Sequence, residues 1–406
     1  MEKIKIGILR EGKMPPDRRV PFTPKQCAML KNTFGGIELY VQPSAVRSFS
    51  DSEYAAEGIT LSEDLSRCDV LIGVKEVNIS DLIENKKYMF FSHTAKKQKY
   101  NRDLLRVILD KKIQLIDYEL LKTADHKRII GFGRFAGIVG AYNALYAYGL
   151  KTNLFALKRA KDCADRKEME AELVKVKFEP KAKIVLTGFG KVGNGAREIL
   201  DLLPILEVSP SEFLNETYTE SVFTHLESSD YYQKKSDKSF EKTEFYQNPE
   251  LYEATLVEYV QKSEVYISCH FWNNAAPKLL TVEDLKKCTA LKVVADISCD
   301  IADPIACTLR PSTIADPLYG YNVEGHTEGD WKEENNIVVM AVDNLPTELP
   351  KEASEDFGNQ LIQGVFSHFL NNDSEGIIFN ASETNLEGKL NKKYLFLQDF
   401  VDGVLT

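Results

Sequence analysis

Tryptophan is scarce at 2 residues, and the 7 cysteines, at positions 27, 68, 163, 269, 288, 299 and 307, are odd in number with no Cys-x-x-Cys spacing. Their apolar, strand-like surroundings favour reduced thiols over disulfides or zinc, and no structural metal is expected. No run approaches the roughly 18 apolar residues of a membrane span. The first nine residues alternate like a strand and lack the apolar core of a signal peptide, so a cytoplasmic location is the expectation. Excess positive charge is absent too: 51 Lys and Arg stand against 61 Asp and Glu, a formal charge of −10. That balance argues against nucleic acid or an anionic membrane as partner and leaves small molecules. No repeat recurs at a fixed period.

What is present begins with Lys183-Ile-Val-Leu-Thr-Gly188-Phe-Gly190-Lys-Val-Gly193-Asn-Gly195. An apolar run, a glycine turn and a helical spacing of Val192, Ala196, Ile199, Leu200 and Leu203 read as strand, turn and helix. Gly188 allows the tight turn, Gly190 lets backbone N–H groups approach a pyrophosphate, and Gly193 permits close packing of helix on strand. The anion would sit at the positive helix N-terminus. A dinucleotide, NAD or NADP, is the expected cofactor. An acid about 20 residues past the glycines ordinarily selects NAD; Glu207 is the candidate, yet it precedes the strand end, and no arginine stands there for a 2′-phosphate.

At 406 residues the chain exceeds what one core usually serves. Strands are expected at 3–9, 37–41, 69–74, 88–92 and 113–116, with helices from Pro24, behind the N-cap Thr23, and at 97–110. Beyond the glycine turn, strands are expected at 205–208, 265–269, 292–297 and 337–342, and helices at 249–261 and 281–287, the latter behind a Thr281-x-x-Asp284 capping box. The small-residue helix 134–148 reads as the connection between domains, and a homo-oligomer is compatible with it. A charged helix is expected over 158–172, and 209–248 reads as a polar insertion. The helix 353–369 is long enough to return to the first domain. The expected fold is α/β, two Rossmann-like doubly wound domains, bilobal, with a cleft between them: a discontinuous substrate domain of 1–133 plus 347–406, and a dinucleotide-binding domain of 134–346.

Ligands bind at the carboxyl ends of parallel strands. Lys75 and His93 each follow an expected strand and share one rim. A desolvated lysine loses basicity, histidine as a residue type titrates near neutrality, and the two suit acid–base chemistry; a salt bridge from Lys75 to Glu76 or Glu119 and a turn histidine are the structural alternatives. Glu119 is a third rim group, able to set their protonation or to cap a helix. In the second half, Asp296, Ser298 and Asp343 end strands, where they suit ribose hydroxyls or a carboxamide, or merely local turn bonds. His126, His225 and His270 show no ligand spacing.

The ordered segments Arg10-Glu-Gly-Lys13, Arg19-Val-Pro-Phe-Thr-Pro24, Gly73-Val-Lys75, Phe90-Phe-Ser-His93-Thr94, Leu115-Ile-Asp-Tyr-Glu119, Phe132-Gly-Arg-Phe-Ala-Gly137, the glycine turn, Asp296-Ile-Ser298 and Val342-Asp343-Asn-Leu-Pro346 together resemble the lysine-forming saccharopine dehydrogenases. They are especially similar to the lysine–2-oxoglutarate reductase domain of the bifunctional lysine-degrading enzyme, within the alanine dehydrogenase and transhydrogenase superfamily. The resemblance spans nearly the whole chain. It implies a nicotinamide-dependent interconversion of saccharopine with lysine and 2-oxoglutarate, with Lys75 and His93 as catalytic residues. It further implies that Lys13, Arg19, Glu119 and Arg128 surround the substrate and that Asp343 lies near the nicotinamide. The alternatives are an alanine dehydrogenase-like oxidoreductase and a non-catalytic dinucleotide-binding protein.

Overall fold

A computed structural model describes residues 3–301 and 303–404. The chain divides into two compact units, Met1–Phe132 with Pro350–Thr406, and Gly133–Leu349. Both are Rossmann-like α/β layers.

Unit 1 is built on a parallel sheet of β1 (Ile4–Ile8), β2 (Ile37–Val41), β3 (Thr60–Leu61), β4 (Val70–Ile72), β5 (Lys87–Phe90) and β6 (Gln114–Asp117), in the order β3-β2-β1-β4-β5-β6. The order reverses between β1 and β4, and that switch point opens a crevice at the carboxyl edge. Burial on both faces accounts for unbroken apolar strands such as Val70-Leu-Ile72, all fully buried. The Pro24–Thr33 helix starts as its sequence dictates: Thr23 accepts from the Gln26 N–H while Gln26 returns to the Thr23 N–H. The Pro350–Gly364 helix closes the unit. Ser354 Oγ accepts from the Val20 N–H at 2.9 Å, and Gln26 Nε2 donates to the Glu355 carbonyl at 2.8 Å. A Cβ on Gly358 would stand 2.2 Å from the Gln26 amide oxygen, so a larger residue there would displace that amide. The last segment forms a small cluster of its own, Leu390, Tyr394, Leu397 and Phe400 against Leu105.

Unit 2 carries β7 (Lys183–Thr187), β8 (Leu206–Glu207), β9 (Val222–Leu226), a separate antiparallel pair β10 (Tyr232–Lys234) and β11 (Tyr252–Ala254), β12 (Val265–Ser268), β13 (Val293–Asp296), β14 (Leu318–Asn322), β15 (Thr327–Gly329) and β16 (Asn336–Met340). Its main sheet runs β15-β14-β16-β13-β12-β7-β9-β8, with β14 antiparallel to both its neighbours and every other pairing parallel. The glycine strand β7 thus lies inside the sheet, between β12 and β9.

Several elements differ from the sequence reading. The polar stretch 209–248 is not wholly an insertion: Val222-Phe-Thr-His-Leu226 inside it is the fully buried neighbour of β7. Its Thr and His dilute the apolar signal, and its flanks are polar. The helix expected over 249–261 breaks into a turn, β11 and the short Val257–Val260 helix, and the charged helix shrinks to Arg166–Glu172. The β14–β15 hairpin had no counterpart in the sequence reading. The small-residue helix, Gly133–Thr152, opens unit 2 and is mostly buried within it. A Cβ on Gly137 would stand 1.9 Å from the Val192 carbonyl oxygen, and one on Gly195 2.0 Å from that of Arg134, so small residues here let two helices touch.

Candidate active site

The carboxyl edge of the unit 1 sheet gathers charged groups from four successive strand ends. Glu11 follows β1, Lys75 and Glu76 follow β4, His93 follows β5, and Glu119 follows β6. Glu11 ties the switch point shut, accepting from the Val74 N–H at 2.7 Å and the Lys75 N–H at 2.8 Å. Burial, helped by Asp17, outweighs those donors and Arg19 and pushes its carboxyl up to about 7. A cavity of about 310 Å³ opens beside it, lined among others by Glu11, Gln42, Glu63, Lys75, Glu76 and Asn78.

Lys75 is half-buried, and among the described residues neither Glu76 nor Glu119 forms an ion pair with it. Burial first, then the positive charges of Arg19 and Lys13, outweigh Asp17 and Glu76 and hold its ammonium below the usual lysine range. Glu76 instead bridges two partners, meeting His93 Nδ1 at 2.7 Å and Lys13 Nζ at 3.3 Å. Burial would raise its carboxyl, but the His93 bond, its own backbone N–H and the Lys13 and His93 charges bring it down to about 2. With Nδ1 facing a carboxylate, that nitrogen carries the proton and Nε2 is the end left for exchange.

The residue types explain the remaining positions. Asp17 and Arg19 form a buried two-pronged pair, 3.0 Å at Nε and 2.6 Å at the terminal nitrogen. The guanidinium lies 4.1 Å from the centre of the Phe132 ring, which stacks on Phe357 at 4.4 Å. Arg19, 2% exposed, therefore acts on Lys75 through its field, whereas Lys13 and Arg128 keep 43% and 45% of their side chains open to an anion. Glu119 meets Lys96 at 3.0 Å and Arg128 at 3.4 Å. Burial opposes its ionisation, but Lys96, Arg128 and His93 hold its carboxyl below the usual range.

Beneath His93 lies a polar layer that sequence reasoning missed. His93 sits in the left-handed region at φ 55°, a conformation a non-glycine residue keeps only when its surroundings enforce it. Asp117 does so, accepting from the backbone N–H groups of Ser92 and His93, both at 3.1 Å, and from the Ser92 hydroxyl. Glu383, fully buried and contributed by the C-terminal segment, accepts from Thr94 Oγ1 at 2.7 Å, and Ser92 and Thr94 are bonded to each other at 2.6 Å. Burial and the Asp117 charge raise the Glu383 carboxyl to about 8. Asp117 had a signal, its place at the end of a strand; Glu383, in a tail without pattern, had none.

In unit 2 the glycine turn is a cradle of backbone. Gly188 has φ 96°, and a Cβ there would stand 2.5 Å from the Cys269 carbonyl oxygen. A Cβ on Gly193 would stand 1.7 Å from the Gly188 oxygen, while Gly190 has no atom within 4 Å of its absent Cβ. Tight turn, close packing and open approach thus fall on the glycines a pyrophosphate site needs, above the start of the Lys191–Leu200 helix. His225 and His270 flank the turn. His225 Nε2 donates to the Gly188 carbonyl at 2.7 Å, and its ring stacks on Phe189 at 3.9 Å. Burial pushes His270 down to about 3.

Asp296 is fully buried and its carboxylate is occupied by Ser298 Oγ at 2.8 Å, Thr308 Oγ1 at 2.8 Å and the Cys299 N–H at 3.1 Å. The geometry supports its reading as organiser of the strand-end turn. Ser298 also meets Ser268 at 3.2 Å, and Asp343 is exposed in the loop after β16. Glu207 is excluded as the ribose acid: it pairs with Arg197 and sits opposite Phe223, three residues or about 10 Å short of the carboxyl edge of β9. Among the described residues no cluster of three or more His, Cys, Asp or Glu could hold a metal ion, and no helix is long and apolar enough to cross a membrane.

Comparison with known proteins agrees with this architecture. Residues 7–139 match the alanine dehydrogenase/PNT N-terminal domain and residues 127–393 the alanine dehydrogenase/PNT C-terminal domain. The chain is 32% identical over 398 residues to the alpha-aminoadipic semialdehyde synthase of Arabidopsis thaliana, a match covering 88% of this chain but 37% of that protein, so it spans little more than a third of that relative. It is 25% identical to the NAD(+), L-lysine-forming saccharopine dehydrogenase of Yarrowia lipolytica, covering 89% of this chain and 91% of that one. Among solved structures an L-alanine dehydrogenase shares the fold with a TM-score of 0.62 at 16% identity, over 98% of this chain and 100% of that one. With the family match reaching across both units, the chain belongs to the alanine dehydrogenase/PNT family of oxidoreductases.

Proposed function

We propose that the protein interconverts saccharopine with lysine and 2-oxoglutarate: saccharopine, NAD(P)+ and water give lysine, 2-oxoglutarate, NAD(P)H and a proton, and the reverse. The observation that carries the reading is the Lys75–Glu76–His93 arrangement, a lysine of depressed basicity beside a carboxylate-oriented imidazole, on one rim with the open cations Lys13 and Arg128. A relative named as an L-lysine-forming saccharopine dehydrogenase aligns along 89% of this chain.

In the reductive direction Lys75, its proton held weakly by burial and neighbouring charge, takes a proton from the ε-ammonium of lysine and frees the amine to attack the keto carbon. His93, through Nε2, protonates the departing hydroxyl as the carbinolamine loses water, leaving the imine protonated on nitrogen, so that hydride addition to its carbon gives the neutral secondary amine. A nicotinamide coenzyme held at Gly188, Gly190 and Gly193 would supply the hydride. Lys13 and Arg128 meet substrate carboxylates, as charge-assisted bonds require, while the Arg19 charge, which outweighs that of Asp17 at Lys75, keeps Lys75 from holding its proton. Glu119 shares Arg128 and moderates the positive field. Gly188, Gly190 and Gly193 form the pyrophosphate cradle, and Ser298 and Asp343 follow β13 and β16 at the carboxyl edge of the same parallel strands. The cytoplasm is the compartment we assign.

The test is oxidation of NADH and of NADPH, followed at the nicotinamide absorbance, with lysine plus 2-oxoglutarate, with either omitted, and with alanine or ammonia plus pyruvate as alternatives. Consumption that needs both lysine and 2-oxoglutarate is expected. Turnover of pyruvate with ammonia alone would make the chain an alanine dehydrogenase, and no turnover by protein that binds the coenzyme would make it a non-catalytic dinucleotide binder.

A further inference from the structure

We infer that Glu11 is the positioning residue of Lys75: its carboxylate stands in for a missing rung of the sheet and fixes the backbone from which the Lys75 side chain extends. The inference deepens the proposed function and rests on its reading of Lys75 as an acid–base group. Strands β1 and β4 run in register through Ile8 and Ile72, and the Leu9 N–H then donates to the Ile72 carbonyl at 2.9 Å. In a parallel ladder the next donor, the Val74 N–H, would go to the Leu9 carbonyl. The chain leaves that course, because Arg10 turns its N–H to Gln42 Oε1 at 3.2 Å, on the β2 side. Glu11 Oε1 takes the Val74 N–H at 2.7 Å, and Glu11 Oε2 takes the Lys75 N–H at 2.8 Å.

The opposite side of the segment is held by ordinary backbone bonds to the next strand. The Gly73 N–H donates to the Met89 carbonyl and the Phe91 N–H to the Val74 carbonyl, both at 3.0 Å. Both bonds stop short of Lys75. Among the described residues the Lys75 ammonium forms no ion pair, so its place is set at the root of the side chain rather than at the tip. A carboxylate suits that task, because two N–H groups need two acceptors. An amide has one acceptor and would turn its own N–H toward the second donor, leaving that donor unpaired. Loss of the hold would spare the β1–β4 pairings at Ile6, Gly7 and Ile8 and release the residue beyond them. A displacement of about 1 Å in an acid–base group is enough to cost about a hundredfold in rate, so the effect falls on turnover more than on the sheet.

The experiment is a double-mutant cycle of Glu11→Gln and Lys75→Met in the full chain, assayed with reduced coenzyme, lysine and 2-oxoglutarate. It is run at about pH 8.5, above the value of about 7 to which burial raises the Glu11 carboxyl, so that both oxygens accept. Glu11→Gln is expected to lower kcat by about a hundredfold, with KM for both substrates and the coenzyme Kd within about threefold of the wild type. In the Lys75→Met background the same change is expected to lower the residual kcat by less than about threefold, because the group it positions is gone. Glu11→Asp keeps both acceptors with a shorter reach; its kcat is expected between those of the wild type and Glu11→Gln, and it closes the cycle if Glu11→Gln does not fold. Equal losses in the two backgrounds, a Glu11→Gln kcat within about twofold of the wild type, or a Glu11→Asp kcat below that of Glu11→Gln would each overturn the inference. Turnover of pyruvate with ammonia in place of lysine and 2-oxoglutarate would end the saccharopine reading alone, and the same cycle on that reaction would decide the inference. No turnover of either pair, or full turnover by Lys75→Met, would remove the acid–base reading of Lys75 and the inference with it.

Discussion

The two units share a sheet topology around their central strands and differ in what stands at its carboxyl edge. In unit 1 that edge holds Glu11, Lys75, Glu76, His93 and Glu119, whose burial and pairing move the Lys75 ammonium down, the Glu11 carboxyl up and the Glu76 carboxyl far down. In unit 2 the same edge offers bare backbone at Gly188 and Gly190, two histidines made less basic by burial, and an aspartate locked in its own turn. Strand order supplies the crevice in both cases, and the residues just past the strand ends decide whether it moves protons or cradles phosphates.

The largest effect expected breaks unit 1 alone. Lys75→Met removes the weakly basic amine and is expected to lower kcat/KM by about 10³-fold, within the range for loss of an acid–base group. Dissociation constants for NADH measured by fluorescence should stay within about twofold, since the glycine cradle belongs to unit 2. A parallel loss of coenzyme binding would mean that the two rims do not divide the work as their residues suggest.

The converse substitutions separate two kinds of glycine in unit 2. Gly193→Ala puts a methyl 1.7 Å from the Gly188 oxygen, so the helix must shift. A stability loss of about 1–3 kcal/mol and a loss of NADH affinity of about a hundredfold are expected. Gly190→Ala meets nothing within 4 Å, so the melting temperature should hold while coenzyme affinity falls by about tenfold. Equal melting temperatures for the two variants would contradict the close packing at Gly193.

How much of this was legible in the sequence follows from the same contrast. The glycine turn, Lys75, His93 and the returning helix were readable because each depends on local chemistry: a positive φ, a polar residue directly after an apolar run, a long amphipathic span. The neighbour of the glycine strand was not, because Val222-Phe-Thr-His-Leu226 carries Thr and His at fully buried positions inside a polar stretch. Glu11 and Glu383 act on residues 64 and 289 positions away, at Lys75 and Thr94, and no spacing announces such partners. Arg19 was expected to meet the substrate, whereas its burial against Asp17 and Phe132 depends on tertiary packing that no local pattern announces.

A middling effect is expected from Glu76→Gln, which keeps the shape and removes the charge between His93 and Lys13. Glutamate here has its carboxyl lowered from 4.5 to about 2 in the folded state. Its contribution is therefore complete above about pH 4.5 and lost as pH falls toward 2, and the variant should lose about 2–3 kcal/mol at pH 7. Urea unfolding at pH 7 and pH 3 would check this, with the difference between the proteins narrowing in acid. A gap that stayed constant with pH would assign the loss to packing rather than charge. Turnover is expected to fall by about tenfold, the cost of a misoriented imidazole.

The smallest change in activity and the clearest change in pH dependence are expected at Glu383. Its carboxyl is raised from 4.5 to about 8, so the folded protein favours the protonated form. For a carboxyl raised by folding, the stability it allows is complete below about pH 4.5 and declines as pH climbs to about 8, where the buried group must ionise beside Asp117. Glu383→Gln copies the protonated form and cannot ionise. It should match the wild type within about 0.5 kcal/mol at pH 5 and exceed it by about 1–3 kcal/mol at pH 9, with kcat within about twofold. Glu383→Ala leaves Thr94 without its acceptor and a cavity under the His93 loop, and is expected to destabilise at both values by about 2–4 kcal/mol. Parallel stability curves for the wild type and Glu383→Gln across this range would show that the carboxyl is ionised throughout, and that the layer beneath His93 is held by charge rather than by a shared proton.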